Sequence, residues 1–573
     1  MADTGFAVEP FFRIFGQKRI TDPAMKPYVL LACLLLTIPA AAQNDRMGNP
    51  DPKFKVKVNT DREPVGPGPW APTVESLSAW ECPEWFRDAK FGIWAHWGPQ
   101  CAPEDGDWYA RQMYMEGSAQ YRYNIDARDH PSRFGFKDWI HEWKAENWDP
   151  DALIKLYKDV GARYFMTLAN HHDNFDLYDS KYQEWNSVDV GPKKDIVGGW
   201  AAACRKYGLR LGVSVHASHA WSWYETSRGA DTKGPLAGVH YDGWLTKEDG
   251  RGTWWEGLDP QELYEQRHSL SKDNRAWTWE EDQVTTPDQA YCDKLYNRTA
   301  QLIDDYHPDI LYFDDTYLPL WPVSDVGLNI LAHGYNRSAA EHGGQSEIVF
   351  TGKGMNDWQK KTLLWDVERG APDAMQALPW QTCTCIGSWH YDKHVYYNDG
   401  YKTAAQVIAM LVDIVSKNGN LLLSVPLRSD GTPDPTELRI VGEIGHWMQV
   451  NGESIYETRP WVIFGEGPTA ESTNPIRSQG FNEGNLRYSA VDIRFNKKGD
   501  KTLYVTTLGV PEEDVVVKAL GTKTAQNKRK IKSITILGSD EKLDWTQAKD
   551  GLTIKKPASV PSPEALVFKV VFK

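Results

Sequence analysis

One segment shows the structural pattern of this chain: TAQLIDDYHPDILYFDD, residues 299–315. Its first half spaces apolar residues as an amphipathic helix does, and its second half is the short apolar run of a buried strand. The strand ends in two adjacent carboxylates, Asp314 and Asp315, and aromatic residues follow. Two like charges at the end of a buried strand indicate that this end of the strand has a chemical task.

The same alternation of strand-like and helix-like segments recurs along the chain. Two helix-like segments, 150–162 and 197–209, end at Gly161 and Gly208. Strands that alternate with helices in this way predict a parallel sheet. At this length we predict a (β/α)8-like barrel, with a doubly wound sheet as the alternative. The strand-like runs are KFGIWAHWG (90–98), RYFMTLANHHDNF (163–175) and RLGVSVHASHAW (210–221).

The N-terminal region has the composition of an export signal. MKPYVLLACLLLTIPAAAQ starts at Met25 and combines a lysine, an apolar run and small residues. It is too short to span a bilayer and predicts a secreted or periplasmic protein. We therefore assign residues 1–43 to an upstream extension and signal peptide and 44–78 to a linker. The expected barrel covers 79–455, and a β-sandwich covers 456–573.

Composition narrows the class of partner. The 573 residues carry a formal net charge of −14, which argues against nucleic acid and anionic membrane surfaces because both select basic proteins. The 26 Trp and 26 Tyr residues suit a carbohydrate ligand, because aromatic faces stack on the apolar faces of sugar rings. The oligomeric state is left open.

Polar side chains follow several apolar strand runs. His96, the pair His171 and His172, His216 and Asp314 all occupy such positions. In a barrel these positions lie at the carboxyl ends of the strands, where active sites are built. We therefore expect these side chains to share one site.

No metal or other cofactor is predicted. Adjacent residues of a strand point to opposite faces, so His171 and His172 are not expected to chelate one ion. Six cysteines remain after the signal segment, which permits disulfides in an exported protein, but the spacing of Cys383 and Cys385 predicts no zinc site.

A second carboxylate is needed if Asp314 takes part in catalysis. The stretch LLWDVERGAPDAMQALPWQTCTCIGSWHY (363–391) supplies Asp366 and Glu368 among tryptophans, including Trp380. Two carboxylates from different strand ends can cleave a glycosidic bond, one at the anomeric carbon and one as proton donor.

Five ordered blocks then carry a resemblance to a known family. The chain resembles the α-L-fucosidases of glycoside hydrolase family 29 from about residue 80 to its end. The resemblance implies an irregular (β/α)8-like barrel followed by a β-sandwich, and the alternating pattern of residues 491–511 fits the sandwich. The blocks are WFRDAKFGIWAHWGPQCAPEDGDWYARQMY (85–114), GARYFMTLANHHDNFDLYDSKYQEW (161–185), YHPDILYFDD (306–315), SKNGNLLLSVPLRSDGTPD (416–434) and IGHWMQVNGESIYETRPW (444–461).

The resemblance implies roles for individual residues. Asp314 matches the nucleophile of a retaining mechanism, with Tyr312 in place of the usual Trp. Glu368 matches the acid/base, and Asp366 is the alternative. The expected substrate-binding residues are His96, Trp108, His171, His172, His216, Tyr312, Lys353 and Trp380.

Departures from the family pattern keep other functions open. Asn170 stands where the family has Lys, Ser214 to His216 replace two tyrosines and a serine, and Lys353 replaces an Arg. We expect an exo-acting enzyme that releases terminal α-L-fucose from oligosaccharides. Because an apolar site rejects an added hydroxyl only weakly, an exo-α-L-galactosidase acting on an algal-type galactan is the first alternative. A carbohydrate-binding protein without catalysis is the second.

A long aromatic-rich insert interrupts the barrel pattern at about 221–285. Loops of this length inside a domain are often functional. We expect the insert to form a wall of the leaving-group subsites, with Trp254 and Trp255 as the positions to test, and a packing flap without substrate contact is the alternative.

Overall fold

The computed structural model describes residues 47–281, 284–476 and 479–573. The chain divides into two compact units, Met1–Pro52 and Lys53–Lys573. The predicted signal in residues 1–43 lies outside the described residues, and every element below belongs to the second unit. Among the described helices, none has the length and apolar character that crossing a membrane requires.

Eight parallel strands close into a barrel in which each strand pairs with the next in the chain, and β1 pairs with β8. The prediction of a (β/α)8-like barrel is therefore confirmed, and the doubly wound alternative is wrong. The strands are β1 (Phe91–Ala95), β2 (Tyr164–Leu168), β3 (Arg210–Val215), β4 (Ile310–Thr316), β5 (Val349–Lys353), β6 (Leu364–Glu368), β7 (Trp380–Cys385) and β8 (Gly419–Ser424).

The helix boundaries follow local capping rules. The helix Pro150–Val160 begins after Asp149, whose side chain accepts a hydrogen bond from the Ala152 N–H, and it ends at Gly161 with φ of 108°. The helices are Val74–Leu77, Glu84–Ala89, Tyr109–Gln112, Ala119–Ala127, Phe136–Glu142, Pro150–Val160, Ile196–Tyr207, Ala220–Trp223, Pro260–Tyr264, Gln289–Tyr306, Val326–Glu341, Lys393–Tyr397, Ala404–Ser416, Pro435–Asn451 and Pro468–Glu471.

A β-bulge in β4 explains the two adjacent carboxylates. The pairing of β4 with β5 shifts its register between Tyr312 and Thr316, and such a bulge bends a strand and re-aims its side chains. Asp314 faces the cavity at the mouth of the barrel. Asp315 is buried, its Oδ1 accepts a 2.6 Å hydrogen bond from Ser218 Oγ, and burial raises its pKa to about 6. Only the first of the pair therefore faces the cavity.

The C-terminal region consists of two antiparallel sheets packed around one apolar core. Their strand orders are β13-β16-β11-β10-β9 and β12-β15-β14. Val517 and Leu552 of the smaller sheet pack in the same core as Phe495 and Phe568 of the larger one. The predicted β-rich C-terminal domain is therefore confirmed. The strands are β9 (Arg459–Glu466), β10 (Ile493–Lys498), β11 (Thr502–Thr507), β12 (Val515–Val517), β13 (Ile531–Ile536), β14 (Trp545–Gln547), β15 (Leu552–Ile554) and β16 (Leu566–Phe572).

The cysteines among the described residues are unpaired. Cys82, Cys101, Cys204, Cys292, Cys383 and Cys385 are all free thiols. The even cysteine count therefore produces no disulfide in this part of the chain.

A buried ion cluster joins the barrel to the C-terminal sheets. Arg494 of β10 and Asp413 of the helix Ala404–Ser416 are fully buried, and Arg494 Nε donates to Asp413 Oδ1 at 2.5 Å. Lys417 Nζ donates to the other carboxylate oxygen at 2.8 Å. Burial would raise the pKa of Asp413, but the two cations hold it below its ordinary value.

Replacing Asp413 with Asn should lower the free energy of unfolding by about 3 to 5 kcal/mol, because two buried cations lose their counter-ion. Chemical denaturation followed by tryptophan fluorescence measures this change. The matched control is Asp159→Asn, which breaks the exposed pair with Lys155 and should leave the midpoint unchanged. Equal midpoints for the two variants would contradict the prediction.

Candidate active site

A cavity of about 340 Å³ opens at the carboxyl ends of the barrel strands. Side chains from strand ends around the barrel converge there, as expected for the functional face of this fold. Nine of the residues predicted from sequence line it: His96, Trp108, His171, His172, His216, Tyr312, Asp314, Lys353 and Glu368.

The adjacent histidines His171 and His172 both line the cavity, so their side chains do not point to opposite faces as neighbours in a strand would. β2 ends at Leu168, and the pair lies in a turn in which the Asn174 N–H donates to the His171 carbonyl at 3.0 Å. Outside a strand the rule of alternating faces no longer applies. The two ring centroids are 4.3 Å apart.

Asn170, which replaces the family's Lys, fixes the start of the loop after β3. Its Oδ1 accepts hydrogen bonds from the backbone N–H groups of His216 and Ala217 at 3.0 and 3.1 Å. Ser214 and Val215 are buried within β3 and are not among the lining residues. Of the three departures at this strand end, only His216 therefore changes the cavity wall.

The cavity imidazoles are neutral at physiological pH. Burial lowers the pKa of His172 to about 4 and lowers the pKa values of His96, His171 and His216 well below the ordinary histidine value. A neutral imidazole has one donor and one acceptor nitrogen. Neither ring nitrogen of His216 has a hydrogen-bond partner among the described residues. The cavity wall therefore offers groups that can bind hydroxyls of a ligand.

Three of these rings form the one group among the described residues with the donor set for a metal ion. One nitrogen each from His96, His171 and His216 lies within 4.8 Å of the others. Tetrahedral ligands on Zn–N bonds of about 2.0 to 2.1 Å also satisfy that limit. The three residues follow three different strands, so no spacing in the sequence marks them as a metal-binding group.

Lys353, at the end of β5, lies between two carboxylates. Its ammonium donates hydrogen bonds to Asp314 Oδ1 and to Glu368 Oε2. Burial lowers the pKa of Lys353, but Asp314 and Glu368 raise it well above the ordinary value. Burial would likewise raise the pKa of Asp314, but Lys353 and the hydrogen bond from His172 hold it well below its usual range. Asp314 is therefore ionised.

The shared ammonium also limits the distance between the two carboxylates. Charge-assisted N–H···O bonds are at most about 2.9 Å long. Two oxygens bound to one nitrogen are therefore no more than about 6 Å apart. Retaining glycosidases have carboxyl groups about 5 to 5.5 Å apart, and inverting enzymes about 6.5 to 9.5 Å.

Two predicted site residues do not line the cavity. Asp366 is buried deeper in the barrel, where Gln381 Nε2 donates to its Oδ1 at 2.9 Å, and burial raises its pKa to about 6. Trp380 begins β7 and donates to the Lys417 carbonyl at 2.9 Å. The amino end of a barrel strand is far from the functional face, so the prediction of Trp380 as a substrate-binding residue is wrong.

The insert contributes to the cavity, but not through the predicted tryptophans. Trp254 is exposed and stacks on His141 with ring centroids 4.1 Å apart, and Trp255 is buried; neither lines the cavity. Trp277 is the lining residue from this segment, and it stacks on His219 at 5.2 Å. Within this cavity the insert is therefore represented by Trp277 and not by Trp254 or Trp255.

Sequence reasoning missed five lining residues. Trp389 follows β7, just as the predicted histidines follow their strands, and its position after a strand is the signal that could have identified it. Trp94 lies in β1, and Trp277 lies in the insert. Gln479 and Phe481 follow β9, and no pattern connects them with the barrel. The five are Trp94, Trp277, Trp389, Gln479 and Phe481.

Comparison with known proteins agrees with this architecture. Residues 59–453 match the model of the α-L-fucosidase family, and residues 488–571 match the model of the α-L-fucosidase C-terminal domain. The tissue α-L-fucosidase of Rattus norvegicus is 26% identical over 507 residues, which cover 87% of this chain and 90% of the relative. The plasma α-L-fucosidase of Homo sapiens is 27% identical over 398 residues, covering 68% and 72%.

A solved structure of an α-fucosidase also resembles this chain. The α-fucosidase of Thermotoga maritima in complex with fucose superposes with a TM-score of 0.60 at 25% identity, covering 88% of this chain and all of the other. The first family model alone spans more than half of the chain. The chain therefore belongs to the α-L-fucosidase family of glycoside hydrolases.

Proposed function

We propose that this protein is an exo-acting, retaining α-L-fucosidase that releases terminal α-L-fucose from oligosaccharides. The observation that carries the proposal is the pair of carboxylates, Asp314 and Glu368, held by one ammonium at the mouth of the barrel. Trp94 and Tyr312 are almost fully buried and form the floor of the cavity. A cavity with a closed floor suits the terminal sugar of a chain.

In the proposed mechanism Asp314 is the nucleophile and Glu368 the general acid. The Asp314 carboxylate bonds to the anomeric carbon while Glu368 transfers its proton to the glycosidic oxygen, and the leaving group departs as an alcohol. Glu368, now a carboxylate, accepts a proton from water as the water attacks the anomeric carbon. The bond to Asp314 breaks, and the sugar leaves with its original anomeric configuration.

The low pKa of Asp314 supports its assignment as nucleophile, because attack requires the ionised form. Glu368 lines the cavity, whereas Asp366 is buried beneath it. The proposal therefore keeps Glu368 as the acid/base and sets Asp366 aside.

α-L-Galactosidase activity is the second candidate, and His216 is the observation that favours it. Both of its ring nitrogens are buried without a partner among the described residues. L-Galactose carries one hydroxyl more than L-fucose, and a free imidazole nitrogen can bind it. Unpaired polar groups in a site disfavour an analogue that lacks the matching hydroxyl.

Asp314→Asn should abolish hydrolysis of 4-nitrophenyl α-L-fucoside, because the amide cannot form the covalent intermediate. Glu368→Gln should slow the hydrolysis of fucosyl-oligosaccharides by about 10² to 10⁴-fold. It should slow the hydrolysis of α-L-fucosyl fluoride far less, since fluoride leaves without a proton. Steady-state kinetics measures both effects, and NMR of the first-formed product should show the α anomer.

The wild-type protein is assayed in parallel on 4-nitrophenyl α-L-galactoside, and we expect the fucoside to be preferred. Faster turnover of the galactoside would favour the second candidate. A β-configured first product would contradict the retaining mechanism. Full activity of Asp314→Asn would remove the nucleophile assignment.

Lys353→Met should move the acid limb of the kcat/KM profile to higher pH. The acid limb reports ionisation of Asp314, and loss of the ammonium raises the pKa of this partly buried carboxylate. Rates across the pH range on 4-nitrophenyl α-L-fucoside measure the shift. Lys353→Arg keeps the positive charge and is the matched control. An unmoved acid limb in Lys353→Met would show that this lysine does not set the ionisation of the nucleophile.

Chelation should leave the activity unchanged, because the two carboxylates carry both steps of the proposed reaction. Activity before and after dialysis against EDTA measures this, with re-addition of Zn²⁺ as the control. A loss on dialysis that Zn²⁺ restores would instead assign a metal ion to His96, His171 and His216.

A further inference from the structure

A short segment outside the barrel completes the wall of the cavity. Gln479 and Phe481 line it together with Glu368, although they follow β9 in the sequence. Gln479 Nε2 donates to Thr316 Oγ1 of β4 at 3.3 Å. The Gln479 carbonyl accepts a hydrogen bond from the Glu368 N–H, at the end of β6, at 3.0 Å. The segment therefore connects two strand ends that carry the carboxylates.

The backbone of this segment is paired with the backbone of Glu368. The Phe481 N–H donates to the Glu368 carbonyl at 2.7 Å, which adds to the bond from Glu368 to Gln479. Between them, Gly480 packs so closely that a Cβ atom there would lie 1.8 Å from the Glu368 carbonyl oxygen. Only glycine allows this approach. The position of Phe481 is therefore tied to that of Glu368.

Polar contacts anchor the segment on its other side. The Asn482 side-chain amide is bonded to both backbone groups of Ala371, at 2.9 and 3.0 Å. Glu483 pairs with Arg369 at 2.9 Å and with Lys402 at 3.1 Å. Arg369 and Ala371 follow β6, and Lys402 precedes the helix Ala404–Ser416, so the anchoring partners belong to the barrel. Phe481 is consequently held in place without packing of its own ring into the core.

Phe481 itself has two unusual features. Its side chain is exposed to 57%, although it lines the cavity, and its φ of +59° is in the left-handed region. A non-glycine residue held in that region is a strained position of the kind that clusters at ligand-binding sites. An exposed aromatic ring that is held rigidly presents a flat apolar surface at low entropic cost.

We propose that Phe481 is the stacking platform for the sugar ring of the leaving group. This inference rests on the proposed function, in which Glu368 protonates the glycosidic oxygen. The leaving group must then lie beside Glu368, and Phe481 is the exposed aromatic residue whose backbone is bonded to it. The ligand class is an oligosaccharide with a pyranose next to the fucosyl unit, whose apolar face packs on the ring.

The test compares two substrates that differ only in the leaving group. α-L-Fucosyl fluoride has a leaving group too small to reach Phe481. The second substrate is the best of a set of fucosyl-trisaccharides with α-1,2, α-1,3, α-1,4 and α-1,6 linkages. Phe481→Ala should lower kcat/KM for the trisaccharide about tenfold more than for the fluoride. Phe481→Tyr keeps the ring and should restore the wild-type ratio of the two kcat/KM values.

Tyr397→Ala is the matched control, since it removes an exposed aromatic ring that does not line the cavity. It should leave both rates unchanged, and the thermal unfolding midpoints of all variants are compared to exclude misfolding. If Phe481→Ala lowers kcat/KM equally for both substrates, or for neither, the proposal that Phe481 is a stacking platform is overturned. Wild-type protein inactive on both substrates would overturn the proposed function and, with it, the platform.

Discussion

One buried ammonium organises the active site of this protein. Lys353 bonds to Asp314 and to Glu368, which come from different strands, and without it two partly buried carboxylates would lie close together. Like charges in a poorly solvated site resist ionisation together. The lysine offsets that repulsion and keeps Asp314 ionised. The chemistry assigned to the pair depends on this contact.

The closed barrel makes the contact possible. β4, β5 and β6 are neighbours, so their carboxyl ends meet at one edge and deliver Asp314, Lys353 and Glu368 to one place. The bulge in β4 turns Asp314 toward the cavity and leaves Asp315 to bond with Ser218. On the opposite side, β1 to β3 bring neutral imidazoles that can bind sugar hydroxyls. The strand order thus separates a charged wall from a hydrogen-bonding wall.

The C-terminal region is more than a support for the barrel. The buried cluster of Arg494, Asp413 and Lys417 fixes its sheets to a barrel helix. The segment that holds Gln479 and Phe481 then extends along the end of β6. Because the barrel and the sheets are joined by buried charges, this segment can contribute to the cavity with a defined geometry.

Phe481 and Trp380 illustrate opposite limits of sequence reasoning. Trp380 lies among carboxylates and tryptophans in the sequence, yet it starts its strand and lies at the far end of the barrel. Phe481 is distant from every motif, and it reaches the cavity through backbone pairing with Glu368. Periodicity predicts the element that a residue occupies. It does not predict which end of the element a residue lies at when the boundary is uncertain, or which segments dock together.

By itself the sequence determined the barrel, the β-rich C-terminal domain, the family and the placement of His96, His216 and Asp314 at strand ends. The barrel, the β-rich domain and the strand ends depend on local periodicity and capping, which a linear pattern records, whereas the family is indicated by the five matching sequence blocks. Tertiary structure alone decided that Lys353 bonds both carboxylates, that Asp315 turns away from the cavity and that Phe481 lies beside Glu368. Such contacts depend on strand register, on a bulge and on docking between distant segments, and these are set by packing of the whole chain rather than by neighbours in sequence.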